Sequence, residues 1–181
     1  MLFRSVLEVK GEIAELGDTI NGMIDHARAT PPGAFVEVGV YKGGTAWHLA
    51  EIARAQGRTL WLFDTFTGIP ERTDGLDTHQ IGDFRDTNVE SVRAAIPDAQ
   101  IVVGDARESV ESTDTGPIAF AHLDCDQYDT YRKVLAAIVP RMVIGGAIEF
   151  DDYESLEGAR KAVDEFFGVS PHGLGGRVKR F

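Results

Sequence analysis

Apolar residues Val6, Val9, Ile13, Leu16, Ile20 and Met23 recur at alternating spacings of three and four, which is one stripe of a helix. Gly11, Gly17 and Gly22 interrupt the stripe, each weakening a helix by about 1 kcal/mol relative to alanine. The expected element over 1–32 is therefore a broken helix lying on the chain's own core. The same spacing also fits a coiled-coil seam, and with it a homo-oligomer formed through the N-terminal helix. Pro31-Pro32-Gly33 ends the segment.

From Ala34 the rhythm changes to short apolar runs alternating with longer amphipathic stretches. The runs predict strands over 35–40, 59–63, 100–103, 118–125 and 142–150. Helices are expected between and after them, over 44–56, 87–96, 105–111, 128–139 and 155–167. Five strands separated by helices make an α/β fold, a mostly parallel central sheet with helices on both faces. The stretch Gly68–Arg85 holds charged residues, glycines and few apolar positions, and a loop of that length in a compact domain is expected to be a lid or binding loop. No repeat or linker divides the chain, so 33–181 reads as one domain behind the helical lead-in.

Composition narrows the function. The 181 residues carry 18 Lys+Arg against 29 Asp+Glu, a net charge of −11. Such a chain repels phosphates, which disfavours nucleic acid and anionic membranes as partners. No apolar run reaches the roughly 18–20 residues that span a bilayer, and Glu8 interrupts the only apolar stretch at the N-terminus; a cytoplasmic protein is expected. The single Cys125 excludes an internal disulfide and a cysteine-based zinc cluster, and on a strand it alternates away from Asp124, as a small buried hydrophobe would.

In an open α/β sheet, ligands bind beyond the C-terminal ends of the strands, and each expected strand delivers polar chemistry there. The first ends in Glu37, Gly39 and Tyr41 before Gly43-Gly44-Thr45. Glycines at a strand-to-helix turn let the backbone approach a ligand closely, though a simple helix-entry turn explains them equally well, and the spacing is not that of a dinucleotide binder. Asp64-Thr65 ends the second strand, where a carboxylate can accept both hydroxyls of a ribose. Asp105-Ala106 follows the third, with Asp105 either receiving an adenine amino group or capping a helix. Together these describe a nucleoside pocket. Asp124, Asp151 and Asp152 end two neighbouring strands. Mutual repulsion of about 4 kcal/mol per close pair makes such a trio favourable around an oxygen-preferring cation, Mg²⁺ first, unless Asp151-Asp152 merely caps the next helix. His122 reads as a hydrogen-bonded core histidine, His79 as a loop residue that reaches a substrate only when the loop closes, and Arg177–Arg180 as a solvated strand edge.

The series Phe35–Thr45, Phe63-Asp-Thr-Phe-Thr-Gly-Ile-Pro70, Gly82-Asp-Phe84, His122-Leu-Asp-Cys-Asp-Gln-Tyr128 and Asp151-Asp-Tyr153 resembles the macrocin O-methyltransferase family over about 33–167. The resemblance implies a Rossmann-like class I fold and S-adenosylmethionine- and Mg²⁺-dependent methylation of sugar hydroxyls in natural-product pathways. It implies that Glu37, Gly39 and Gly43-Gly44-Thr45 hold the methionine part of the cofactor, with Tyr41, Thr65 and Ala106 as further contacts. It also implies Asp64 at the ribose, Asp105 near the adenine, and Asp124, Asp151 and Asp152 as metal ligands. Asp124 is the expected acceptor of the substrate proton, and Gly68–Arg85 becomes a lid. Two other functions fit the residues: a catechol or phenol O-methyltransferase, using Phe66, Tyr128 and Tyr153, and a non-catalytic S-adenosylmethionine-binding module. Ser170-Pro171 and the glycines of 173–176 leave room only for short terminal strands.

Overall fold

The computed structural model describes residues 13–168 and 178–181, with side chains from residue 20 onward. Six strands form one sheet in the order β3-β2-β1-β4-β5-β6: β1 (Ala34–Val38), β2 (Leu60–Asp64), β3 (Gln100–Val103), β4 (Ile118–Leu123), β5 (Met142–Phe150) and β6 (Val178–Arg180). The first five are parallel; β6 runs antiparallel to β5 as a three-residue edge strand. Residues 169–177, which include His172, Ser170-Pro171 and Arg177, lie outside the described residues, as do 1–12 with Val6, Val9 and Gly11.

Helices cover both faces. α1 (Ile13–Arg28), α2 (Gly44–Gln56) and α3 (Val89–Ala95) share a core with Phe35, Leu60, Leu62 and Phe120; α4 (Ala106–Ser112), α5 (Tyr128–Ile138) and α6 (Glu157–Phe167) share the other with Val36, Phe63, Ile148 and Phe150. Alternation along each strand sends its residues to the two cores in turn. α1 does not break at Gly17 or Gly22. Met23 and Ala27 are fully buried against the sheet, and burying a side chain the size of Met23 stabilises by about 1.5–3 kcal/mol, enough to offset the glycines. No helix among the described residues is long and apolar enough to cross a membrane.

A polar row crosses the first core. Glu37, His122 and Glu149 stand side by side in register on β1, β4 and β5, all buried. His122 Nδ1 lies 3.2 Å from Glu37 Oε1, the Thr45 hydroxyl of α2 donates to the same oxygen, and His26 Nδ1 of α1 reaches Glu149 Oε2 at 3.0 Å. Two helices are thus tied to the sheet through one buried row.

Candidate active site

The strand order reverses between β1 and β4, so a crevice opens beyond their C-terminal ends. Gly39 makes it possible. Its φ is +88°, and a Cβ there would stand 1.7 Å from the Asp124 carbonyl oxygen, so the two loops meet only because this position has no side chain.

The cleft is walled by Gly39, Tyr41, Asp64, Thr65, Gly104, Asp105, Ala106, Asp124, Cys125, Asp126, Gln127 and Thr130, with Gly68, Ile69, Pro70 and Phe84 from the long loop. Seven of the residues expected at a ligand are therefore together. Glu37, Gly43, Gly44 and Thr45 are not in this wall: Glu37 is fully buried beneath it, and Gly43, at φ +82°, turns the chain into α2. That helix opens with no side-chain cap, which leaves its first N–H groups for other acceptors.

Asp64 has a larger structural role than its position at a strand end suggests. Its Oδ2 accepts the N–H groups of Val40 (2.7 Å) and Tyr41 (2.8 Å), and its Oδ1 that of Phe66 (2.6 Å). A carboxylate has about four lone-pair directions, so one remains for a ligand rather than the two expected for a pair of ribose hydroxyls. Asp105 both lines the cleft and caps α4, accepting from Arg107 N at 3.0 Å. The Arg107 guanidinium holds its carboxyl below the usual range and also pairs with Glu71 of the long loop.

The long loop is folded over the cleft. Ile69 and Gly82–Asp83 bond each other in both directions at 2.9 Å, and buried Asp77 accepts from Thr73 N and from Tyr128 N at the start of α5. His79 is brought to 3.5 Å from Asp126 Oδ1. The non-glycine residues with positive φ among the described residues are Tyr41, Phe66, Phe84 and Asp126; three line the cleft and Phe66 adjoins it. Such conformations cost of order 1–3 kcal/mol each and gather where function demands a shape.

Carboxylate oxygens of Asp124, Asp126 and Asp152 lie within 4.8 Å of one another. Asp152 Oδ2 accepts from Asp126 N and from the buried Tyr131 hydroxyl, both at 2.9 Å; its side chain does not cap α6, which starts without a side-chain cap. Asp151 Oδ1 instead lies 3.8 Å from His122 Nε2, because successive residues of the short 3-10 turn at Asp151–Tyr153 point in different directions. Burial raises Asp124 well above the ordinary carboxylate range, and Asp152 and Asp151 raise it further. Burial and the same neighbours push Asp126 up to about 8. Burial works against the charge on His122, but Asp151 and Glu37 more than compensate and hold its pKa well up.

Asp126 was absent from the expected ligands, although it stands two residues after Asp124 in the same motif. Cys125 corrects the sequence expectation: β4 ends at Leu123, alternation stops, and Cys125 comes half-buried into the cleft wall, its thiol pushed up by burial. Gln127, buried in the same wall, has an Nε2 donor without a partner among the described residues.

The profile of the macrocin-O-methyltransferase (TylF) family matches residues 14–171. The chain belongs to the macrocin-O-methyltransferase family. Among its relatives in that family and near it, the chain is 31% identical over 156 residues to 8-demethyl-8-(2,3-dimethoxy-alpha-L-rhamnosyl)-tetracenomycin-C 4'-O-methyltransferase of Streptomyces olivaceus, covering 76% of this chain and 59% of that one. It is 29% identical over 154 residues to mycinamicin III 3''-O-methyltransferase of Micromonospora griseorubida, covering 75% and 60%. The chain thus spans about six-tenths of the length of the curated relatives it matches. The O-methyltransferase NovP superposes with a TM-score of 0.72 at 24% identity over 83% of this chain and 70% of that one, and the calicheamicin methyltransferase CalS11 with 0.74 at 23% over 90% and 77%. The family's class I methyltransferase fold is the one described above.

Proposed function

We propose that this chain is an S-adenosylmethionine-dependent O-methyltransferase, assisted by a divalent cation, that methylates a hydroxyl of a sugar or small secondary metabolite. The observation that carries this is the meeting, across one crevice at the topological switch point, of a nucleoside-sized wall and a trio of carboxylates. The relatives named for tetracenomycin, novobiocin and mycinamicin O-methylation support the reaction class and the sugar or antibiotic acceptor.

The residues fit both groups. Gln127 offers an unmatched buried donor in the wall where a base would lie, and Asp105 and Asp64 offer acceptors. For the cation the donor set is all oxygen, and three carboxylates held above their ordinary pKa by burial first and by neighbouring carboxylates second gain most from a hard divalent ion, Mg²⁺ first. Asp124, Asp126 and Asp152 would hold it, with Asp151 adjacent.

S-adenosylmethionine, when bound, supplies a methyl already activated on sulfur; transfer forms the O–C bond, breaks the S–C bond and leaves a thioether and a proton. The chain aligns the acceptor and takes that proton. Asp126 is the carboxylate suited to do so: it lines the cleft, and its Oδ1 lies 3.5 Å from His79 Nε2. Asp124 then serves as ligand beside it.

The test is calorimetric titration of S-adenosylhomocysteine with and without Mg²⁺. Micromolar binding, with a separate heat for the cation that disappears in Asp152→Asn, is expected. Failure to bind under both conditions overturns the proposal.

A further inference from the structure

We infer that Glu37 and His122, buried beneath the cleft and outside its wall, are positioning residues for the cation site: together they hold the Asp151 carboxylate beside the trio of Asp124, Asp126 and Asp152. The inference rests on the cation-assisted reading above and adds to it the pair of side chains that acts through Asp151.

The row of Glu37, His122 and Glu149 is costly to bury. All three are at most 3% exposed, in register on three adjacent strands of the sheet. Glu37 Oε2 is buried with no hydrogen-bond partner among the described residues. An unmatched carboxylate oxygen in the interior destabilises the fold, where an apolar side chain of similar size would not. Packing therefore does not account for Glu37. Its contacts do. Its Oε1 accepts the Thr45 hydroxyl of α2 and faces His122 Nδ1 at 3.2 Å. The other ring nitrogen, Nε2, stands 3.8 Å from Asp151 Oδ1. A ring with a carboxylate oxygen at each nitrogen is a two-ended strut. Glu37, itself tied to α2, fixes the imidazole, and the imidazole fixes Asp151.

The end of β5 shows the same arrangement twice. Asp151 and Asp152 leave the strand in one short turn, and a different buried side chain meets each. The Tyr131 hydroxyl of α5 donates to Asp152 Oδ2 at 2.9 Å, while His122 of β4 faces Asp151. The third member of the row, Glu149, has its partner on the far side, in His26 of α1. The row thus has one arm directed at the cation site and one directed at a helix, and only the first should affect the cation. Groups that orient a metal's ligands without touching the ion change its affinity by about 10–100-fold when removed.

The test reads cation affinity directly, by Mn²⁺ titration of the full chain followed by electron paramagnetic resonance. His122→Asn should weaken Mn²⁺ binding about tenfold or more. Asp151→Ala should do likewise, and the double variant should lose no more than the weaker-binding single variant, because the histidine acts through that carboxylate. Glu37→Gln keeps the shape of the side chain, and as a second variant it should also weaken Mn²⁺ about tenfold. His26→Ala, which cuts the other arm of the row, should lower the urea midpoint and leave Mn²⁺ affinity within about twofold. Mn²⁺ affinity unchanged in both His122→Asn and Glu37→Gln overturns the inference, as do losses that add in the double variant; in either case the cation reading stands. No Mn²⁺ binding by the unaltered chain removes both, and S-adenosylhomocysteine binding, measured by calorimetry without cation, then reports on the methyltransferase reading alone.

Discussion

Gly39 and Asp126 show how much a single position carries. At Gly39 a methyl group would overlap the Asp124 carbonyl, at 1.7 Å, and neither β1 nor β4 can shift without breaking a central ladder. Gly39→Ala should destabilise by about 3–5 kcal/mol, the range of severe backbone and packing lesions, measured as a fall in the urea midpoint. At Asp126 the issue is protonation. A carboxylate accepts a proton only when ionised, and this one is held up to about 8, so with the cation scarce the rate should climb with pH through the neutral range. Raising Mg²⁺ places positive charge beside it and should move that limb to lower pH. Asp126→Asn should remove the limb and lower kcat by about 10²-fold or more, the usual worth of a general base; a pH–rate series at two Mg²⁺ concentrations checks both statements.

Elements are joined by buried polar contacts as well as by packing. α1 meets the sheet at His26–Glu149, and Glu149 is 3% exposed. His26→Ala would leave that buried carboxylate without its imidazole, a loss of about 1–3 kcal/mol in chemical denaturation, whereas an exposed helix substitution such as Asp25→Ala should change little. Asp77 performs the same service for the loop over the cleft, receiving two backbone N–H groups from different elements. Asp77→Ala should speed amide exchange at Thr73 and Tyr128 together, with a stability loss of about 1–2 kcal/mol, as for a lost helix cap.

Across the molecule, the strand ends gather negative charge on a chain that is already at −11. Asp124, Asp126 and Asp152 are all raised in the fold, so between their unfolded value near 4 and the raised native range the folded state binds more protons than the unfolded one. Stability must then fall as pH rises across that interval. In a chelator, Tm should drop between pH 5 and pH 8. Mg²⁺ binds the ionised cluster of the native state, so it should raise Tm most at pH 8 and little at pH 5. Equal stabilisation at both values would place the cation elsewhere.

The alternation of apolar runs and amphipathic stretches determined the sheet's first five strands, the helices between them and the carboxylates at their ends, because periodicity and strand-end chemistry are local properties of the chain. β3, β5 and α2 fall where the periodicity put them. What only the tertiary structure decided depends on contacts distant in sequence. That α1 runs through two glycines follows from burial of Met23 and Ala27 against strands more than 90 residues away. That Asp126 joins Asp124 and Asp152 while Asp151 turns to His122 follows from where β4 stops and how the chain leaves β5. That Asp64 spends most of its acceptor capacity on Val40, Tyr41 and Phe66 follows from the pairing of β1 with β2, which brings the two strand ends together; that Phe84 and His79 line up with Tyr41 at the mouth of the cleft follows from the folding of the 68–85 segment onto it. A strand's alternation says which side a residue faces only while the strand lasts. Beyond its end, where the chemistry sits, direction is set by the turns and by what packs against them.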